Sequence, residues 1–325
     1  MGSRMTDLDQ PWIEHLLLEL QESFRWETTS IGFKVHSVSP TRTSIIYRCC
    51  DLSGDNEVVL KVLTRPSDDP RIRHDALAWL HQLYRESSTA PVSIPQPLGW
   101  SSHPKAICMR YIDGSDLSEE LSMALGEGGV QPIQAVILDA VFLCGSSLGA
   151  FHSASPSTES LDSLIRARRI AKRLLARCPE LSSDSLRVRF GDFRVQNFRR
   201  SPDGHLWLVD PPLADDVGPI HEDIAWFFCA LWRLLMRIFD GSIRRTEMYL
   251  GELRKHFLRG YRESGPIEIW TSTDRQLVMM YECASLLARS RSCLRQRQFN
   301  SAAMACLAAG TRRASLASGR CPGST

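Results

Sequence analysis

The chain has 325 residues, enough for a large core and, by ordinary domain sizes, for two domains. Its 43% hydrophobic and 23% charged residues are those of an ordinary globular protein, and a net charge of +2 gives no argument for nucleic acid as a partner. An uninterrupted run of about 18 apolar residues is missing from the sequence, so no membrane span is expected.

The segment Met1–Asp9 lacks an apolar signal core, and a cytoplasmic location is expected. Met1-Gly2-Ser3-Arg4-Met5-Thr6 formally fits an N-myristoylation pattern, with an upstream start or a cloning remnant before Met5 as the plainer reading. The ten cysteines form no Cys-x-x-Cys pair and no zinc spacing, so reduced, mostly buried thiols are expected.

In chain order, Ile13, Leu16, Leu17, Leu20 and Phe24 recur at helical spacing and predict a helix from about 10 to 25. Ser44–Asp51 and Glu57–Leu63 are rich in β-branched residues around the turn Ser53-Gly54-Asp55-Asn56, which predicts an antiparallel hairpin. A helix then carries Ile72, Ala76, Leu80 and Leu83 on one side. Beyond the Pro-rich stretch Pro91–Pro97, Ala106–Tyr111 reads as a strand.

From Gln134 the pattern turns helical, with Val136–His152 and Leu161–Arg177 as two long helices. The exception is Val188–Pro211, where apolar runs flank Ser201-Pro202-Asp203-Gly204 and predict a hairpin. After Asp223 the pattern is helical to about Ala309, and the small, polar tail 310–325 reads as disordered.

The informative residues are Phe190-Gly191-Asp192-Phe193-Arg194-Val195-Gln196-Asn197 and, across that hairpin, Leu206-Trp207-Leu208-Val209-Asp210. Two carboxylates and a carboxamide on adjoining short elements suit a nucleotide-borne magnesium ion, which needs only one or two protein carboxylates beside phosphate oxygens. The remaining carboxylate can accept a proton from an attacking hydroxyl.

This segment resembles the catalytic region of the aminoglycoside phosphotransferase and choline kinase-like superfamily, relatives of the protein kinases. The spacing of Asp192, Asn197 and Asp210 matches, and Asp223-Ile224-Ala225-Trp226 looks like the helix start that follows. The resemblance implies a catalytic base at Asp192, metal ligands at Asn197 and Asp210, and an Asp223 that braces the catalytic loop from below. It also identifies Lys61, in Val58-Val59-Leu60-Lys61-Val62-Leu63, with the lysine that grips the α- and β-phosphates of ATP. Cys108–Gly114 is similar to the interlobe hinge, where the Arg110 carbonyl and the Ile112 N–H would meet adenine. Arg194 falls where a cation contacts the transferred phosphoryl group, with a solvated loop arginine as the plainer reading.

The implied fold is α+β, a two-lobed protein-kinase-like fold with a small N-terminal antiparallel sheet lobe and a larger, mostly helical C-terminal lobe. The expected divisions are an N-terminal helix (1–29), a nucleotide-binding lobe (30–112), a catalytic and substrate-binding lobe (113–309) and the tail. The implied activity is ATP- and Mg2+-dependent transfer of the γ-phosphoryl group to a hydroxyl of a small molecule. A kinase-like nucleotide-binding or scaffold protein is the alternative.

Three departures from the family pattern stand out. Phe190 replaces the usual histidine two residues before the base. Arg73 stands where an acid should pair with Lys61, with Asp75 the nearest carboxylate. The phosphate loop, read as His36–Thr43, has no glycine and offers serine and threonine hydroxyls instead, or is a plain solvated turn.

Residues 231–325 hold 16 Arg plus Lys against 7 Asp plus Glu. A neutral or anionic acceptor therefore fits better than a polycationic one, although most of those arginines read as a solvated helix face. His152 reads as a packed histidine.

Overall fold

The computed structural model describes residues 10–24, 26, 32–41, 43–54, 56–86, 91–126, 133–155, 186–210, 217–266 and 271–295, with side chains to 287. The predicted helix Leu161–Arg177, the tail and residues 1–9 lie outside them. The chain divides into two compact units, one of Met1–Ser88, Ser93–Gly114 and Trp207–Leu213, the other of Thr89–Val92, Ser115–Leu206 and Ala214–Thr325.

In the first unit α1 (Gln10–Phe24) buries Ile13, Leu16, Leu17 and Leu20, the apolar stripe read from the sequence. They pack with Phe33, Tyr47, Val58, Leu60, Ala106 and Cys108 from a five-stranded antiparallel sheet. Its strands are β1 (Phe33–Pro40), β2 (Ser44–Asp51), β3 (Glu57–Leu63), β4 (Pro97–Ser102) and β5 (Lys105–Arg110), in the order β1-β2-β3-β5-β4. The β2–β3 hairpin runs between the predicted ends, with Ser44 opposite Leu63 and Cys50 opposite Glu57. Alternation along β3 sends Val58 and Leu60 to the α1 side.

Two expectations are corrected here. His36–Pro40 is strand rather than phosphate loop, because it pairs with Ile45–Arg48 of β2 apart from a bulge at His36. The connection shrinks to a tight turn, in which Thr41 Oγ1 accepts the Ser44 N–H at 3.0 Å. Helix α2 (Pro70–Glu86) buries Pro70, Leu77, Leu80 and Tyr84, whereas Ile72 is exposed. Its apolar residues are spread round the helix, and packing on β4 selects this face.

The β2–β3 turn is built on Asp51, whose side chain accepts from Ser53 Oγ at 2.7 Å and Asn56 Nδ2 at 2.7 Å. Burial raises the Asp51 pKa, but hydrogen bonds from Asn56, Ser53 and Gly54 outweigh it and bring it to about 2.

The second unit is mostly helical. It contains β6 (Ser115–Asp116), α3 (Leu117–Gly126), α4 (Ala135–Ala154), β7 (Leu186–Val188), a 3-10 turn at Val195–Asn197, and β8 (Phe198–Arg200). The turn Ser201–His205 leads into β9 (Leu206–Leu208), along which the chain passes into the first unit. It returns with β10 (Val217–Pro219), α5 (Ile220–Ile238), α6 (Ile243–Ser264) and α7 (Ser272–Arg295). α4 is long and apolar enough by length and composition to cross a membrane, yet most of it is buried in this unit. It lies along α6 in close contact. A Cβ on Gly145 would stand 2.0 Å from the Phe257 carbonyl oxygen, and one on Gly260 2.1 Å from that of Phe142.

The described cysteines are free thiols. Burial pushes Cys49 up to about 12, and Cys108 and Cys144 well above the ordinary thiol range, which keeps them unreactive.

Two measurements check these packing arguments. Gly145→Ala and Gly260→Ala should each lower the unfolding free energy by about 2–3 kcal/mol in urea, because the obstacle is helix backbone. The folded Asp51 pKa lies below its unfolded value of about 3.9, so its stabilisation is present above that pH and lost as pH falls toward 2. Asp51→Asn should remove that part of the acid sensitivity and lower stability at neutral pH by about 1–3 kcal/mol.

Candidate functional site

The predicted residues fall into two sets, one in each unit. Lys61, Arg110, Ile112 and Asp210 belong to the first, and Asp192, Arg194 and Asn197 to the second.

In the first unit Lys61 is 7% exposed, on β3 opposite Ile46 and Ile107. A buried ammonium needs a counter-charge. Here it is Asp210, with Lys61 Nζ 2.5 Å from Oδ1, while the Asp210 side chain remains 41% exposed. The carboxylate sought on α2 is not the partner. Asp75 is exposed and pairs with Arg71 and His74, and Arg73 turns to Asp68 at 3.2 Å. Arg110 closes β5, donating its N–H to Gln96 O at 2.9 Å, and Tyr111 N–H goes to Glu57 O at 2.9 Å. Ile112 follows outside the sheet.

In the second unit the loop after β7 carries the predicted base. β7 pairs antiparallel with β10, Val188 opposite Val217, which sets the start of α5 beneath that loop. Asp223, in the first turn of α5 and 1% exposed, accepts the Phe190 N–H at 2.7 Å on Oδ2 and the Gly191 N–H at 2.9 Å on Oδ1. This is the bracing role that the sequence suggested. His152, fully buried at the end of α4, adds Nε2 at 3.1 Å to Oδ2 and meets the Tyr261 hydroxyl through Nδ1 at 2.8 Å. Burial, then the Asp223 charge, push Tyr261 well above the ordinary phenol range, so it stays protonated.

Phe190 takes up no polar duty with its side chain. Its ring stands edge-on to Phe151 at 5.0 Å and Phe193 at 4.9 Å, within a cluster that includes Phe198, Phe227 and Phe257.

Above this support Asp192 is 40% exposed at its side chain. Arg194 Nη2 is bound to Oδ2, and the Trp226 indole N–H reaches Oδ1 at 3.3 Å. Asn197, 6% exposed, donates from Nδ2 to the Asp192 carbonyl at 2.8 Å. The neighbouring arginines are not loose charges: Arg189 pairs with Glu222 at 3.0 Å, Arg199 with Asp116 at 3.0 Å and Arg200 with Glu120 at 3.0 Å.

Among the described residues no group of three His, Cys, Asp or Glu gathers to hold a metal by protein ligands alone. In the second unit the Asn197 amide is fixed through Nδ2, and in the first unit Asp210 is a half-exposed carboxylate. Each is an oxygen donor of the type that a magnesium ion carried by phosphate oxygens accepts.

No family model matches the sequence, and no curated protein matches it. Solved structures do. A glucosamine kinase aligns over 90% of this chain and 82% of its own at 16% identity, with a TM-score of 0.51. A choline kinase from Cryptosporidium parvum aligns over 92% and 94% at 11% identity, TM-score 0.47. An aminoglycoside phosphotransferase from Streptomyces rimosus aligns over 84% and 97% at 14% identity, TM-score 0.43. The first of these shows that the chain shares the fold of that glucosamine kinase, the α+β class expected from the sequence.

Two residues of this region escaped the sequence reading. His152 was read only as packed, and its bond to Asp223 spans 71 positions. Trp226 belongs to the Asp223 motif, and its indole, one helical turn after Glu222 on α5, reaches the loop at Asp192.

Asp223→Asn should leave at most one good acceptor for the Phe190 and Gly191 amides. The expected loss is about 2–4 kcal/mol of stability, with faster hydrogen exchange at those two amides than at α4.

Proposed function

We propose that the chain is an ATP- and magnesium-dependent phosphotransferase acting on a hydroxyl of a small molecule. The carrying observation is the loop of Asp192: a half-exposed carboxylate whose backbone is held by Asn197 from one side, on a loop clamped by Asp223 from beneath. Such a carboxylate is positioned rather than buried, which suits proton acceptance during an in-line displacement.

In this reading the acceptor hydroxyl gives its proton to Asp192, and an oxygen electron pair forms the new bond to the γ-phosphorus. The bond from that phosphorus to the bridging oxygen breaks, and its electrons leave with ADP. Lys61 serves the nucleotide phosphates, exchanging part of its contact with Asp210 for them. Arg194 lies against Asp192 and balances charge on the equatorial phosphoryl oxygens. Asn197 and Asp210 would hold magnesium, whose positive charge, when bound, neutralises the phosphate oxygens. The Arg110 carbonyl and Ile112 N–H, at the end of β5, meet adenine. The basic excess of residues 231–325 favours a neutral or anionic acceptor over a polycation.

The test is ATP binding by calorimetry, with and without magnesium, beside slow ATP hydrolysis. Asp192→Asn should bind ATP like the wild type and hydrolyse it about a hundredfold or more slowly. Asp210→Ala should lose the magnesium dependence of binding. Equal hydrolysis by wild type and Asp192→Asn overturns the assignment of the base. Magnesium-dependent binding without hydrolysis in either protein makes the chain a nucleotide-binding scaffold.

A further inference from the structure

The side of α5 that faces the Asp192 loop is unusual for this helix. Most of α5 is buried, but Glu222, Trp226 and Arg233 form a less buried stripe. Glu222 is held by Arg189, and the Arg233 guanidinium sits over the Trp226 ring, 5.8 Å from its centroid, while its Nε donates to Cys229 O at 3.2 Å. Trp226 is thus pinned at one face by a cation and at its nitrogen by Asp192.

Indole can donate only through Nε1–H. That proton is spent on Oδ1 of the carboxylate whose other oxygen, Oδ2, takes Arg194. With both oxygens engaged, the Asp192 side chain has one orientation, and the large apolar ring lies beside Oδ1, the oxygen not taken by the Arg194 cation. An acceptor hydroxyl close enough to pass a proton to Asp192 therefore brings its own carbon skeleton against Trp226.

We propose that Trp226 is a positioning residue for Asp192 and the wall on which the acceptor rests, and that the acceptor is a cyclic polyhydroxy compound, neutral or phosphorylated. This rests on the phosphotransferase reading above. A saturated ring with hydroxyls on its rim offers an apolar C–H face to an indole while directing one hydroxyl at the adjacent carboxylate. A cationic acceptor would meet Arg233 on the ring and Arg194 on the base, two like charges at the place where it would have to bind.

Two substitutions separate the roles. Trp226→Phe keeps an aromatic ring and discards the N–H. Its magnesium-ATP hydrolysis, with water as acceptor, should fall about ten- to a hundredfold, the value of one hydrogen bond to a charged group, with KM for ATP changed less than twofold. Trp226→Gln restores an amide N–H and discards the ring. It should recover part of the hydrolysis lost in the Phe variant, yet raise KM about tenfold for a ring acceptor.

The acceptors to use are D-glucose, glucose 6-phosphate and myo-inositol, with choline as the cationic comparison, each followed by ADP release and by mass spectrometry of the product. Phosphorylation of at least one ring compound, with kcat falling in the Phe variant and KM rising in the Gln variant, supports the proposal. Parallel losses in both variants accompanied by a drop in Tm make Trp226 merely structural and overturn it. Phosphorylation of choline alone, or hydrolysis of ATP with none of the ring compounds accepted, overturns the acceptor class. A wild type that binds ATP and never hydrolyses it removes the phosphotransferase reading, and this proposal with it.

Discussion

The catalytic-type loop depends on one buried carboxylate. Asp223 is almost wholly removed from water, and an ionised group there is tolerable only if its oxygens are filled with donors. They are: two consecutive backbone N–H groups, from Phe190 and Gly191, and the His152 ring. The same bonds that stabilise the charge define the loop, since Asp192 is the next residue along. Further out, His152 is fixed by Tyr261 of α6, and Tyr261 is placed by the contact between α4 and α6, where Gly145 and Gly260 let the two backbones meet. A helix–helix packing distance is thereby converted into the position of a half-exposed carboxylate several residues away.

This chain of support also explains how Phe190 is accommodated. A side-chain hydrogen bond from that position is unnecessary when the backbone N–H of the same residue is taken by Asp223. The side chain is then available for the apolar core, and it joins a row of phenylalanines running from Phe151 to Phe257. A histidine does enter the support, but from α4, as His152 rather than from the loop. Polar and apolar duties are divided between two elements.

The two carboxylates assigned to chemistry share another feature. Asp210 is paired with Lys61, and Asp192 with Arg194. Each carboxylate is partly open to water and can be reached by a competing ligand, although the Lys61 ammonium of the first pair is itself buried. By contrast Asp223 is sealed. Burial thus divides the acids into those that solvent can reach and one that it cannot.

The sequence by itself determined the elements with strong local signals. The α1 stripe, the β2–β3 hairpin around its turn, the β8–β9 turn and the long α4 all stand where periodicity and turn residues put them. The bracing position of Asp223 was likewise legible, because motif spacing along a short stretch of chain survives without knowledge of packing. Tertiary structure alone decided the rest. β1 became a strand because β2 offered it a pairing edge, and α2 turned Leu77 and Tyr84 inward because β4 selected that face from a helix with apolar residues all round. Asp210 lies 149 positions from Lys61, Asp223 71 from His152, and Trp226 34 from Asp192. Local sequence specifies a residue's period and its propensity, but which distant charge or ring meets it is settled only when the elements pack.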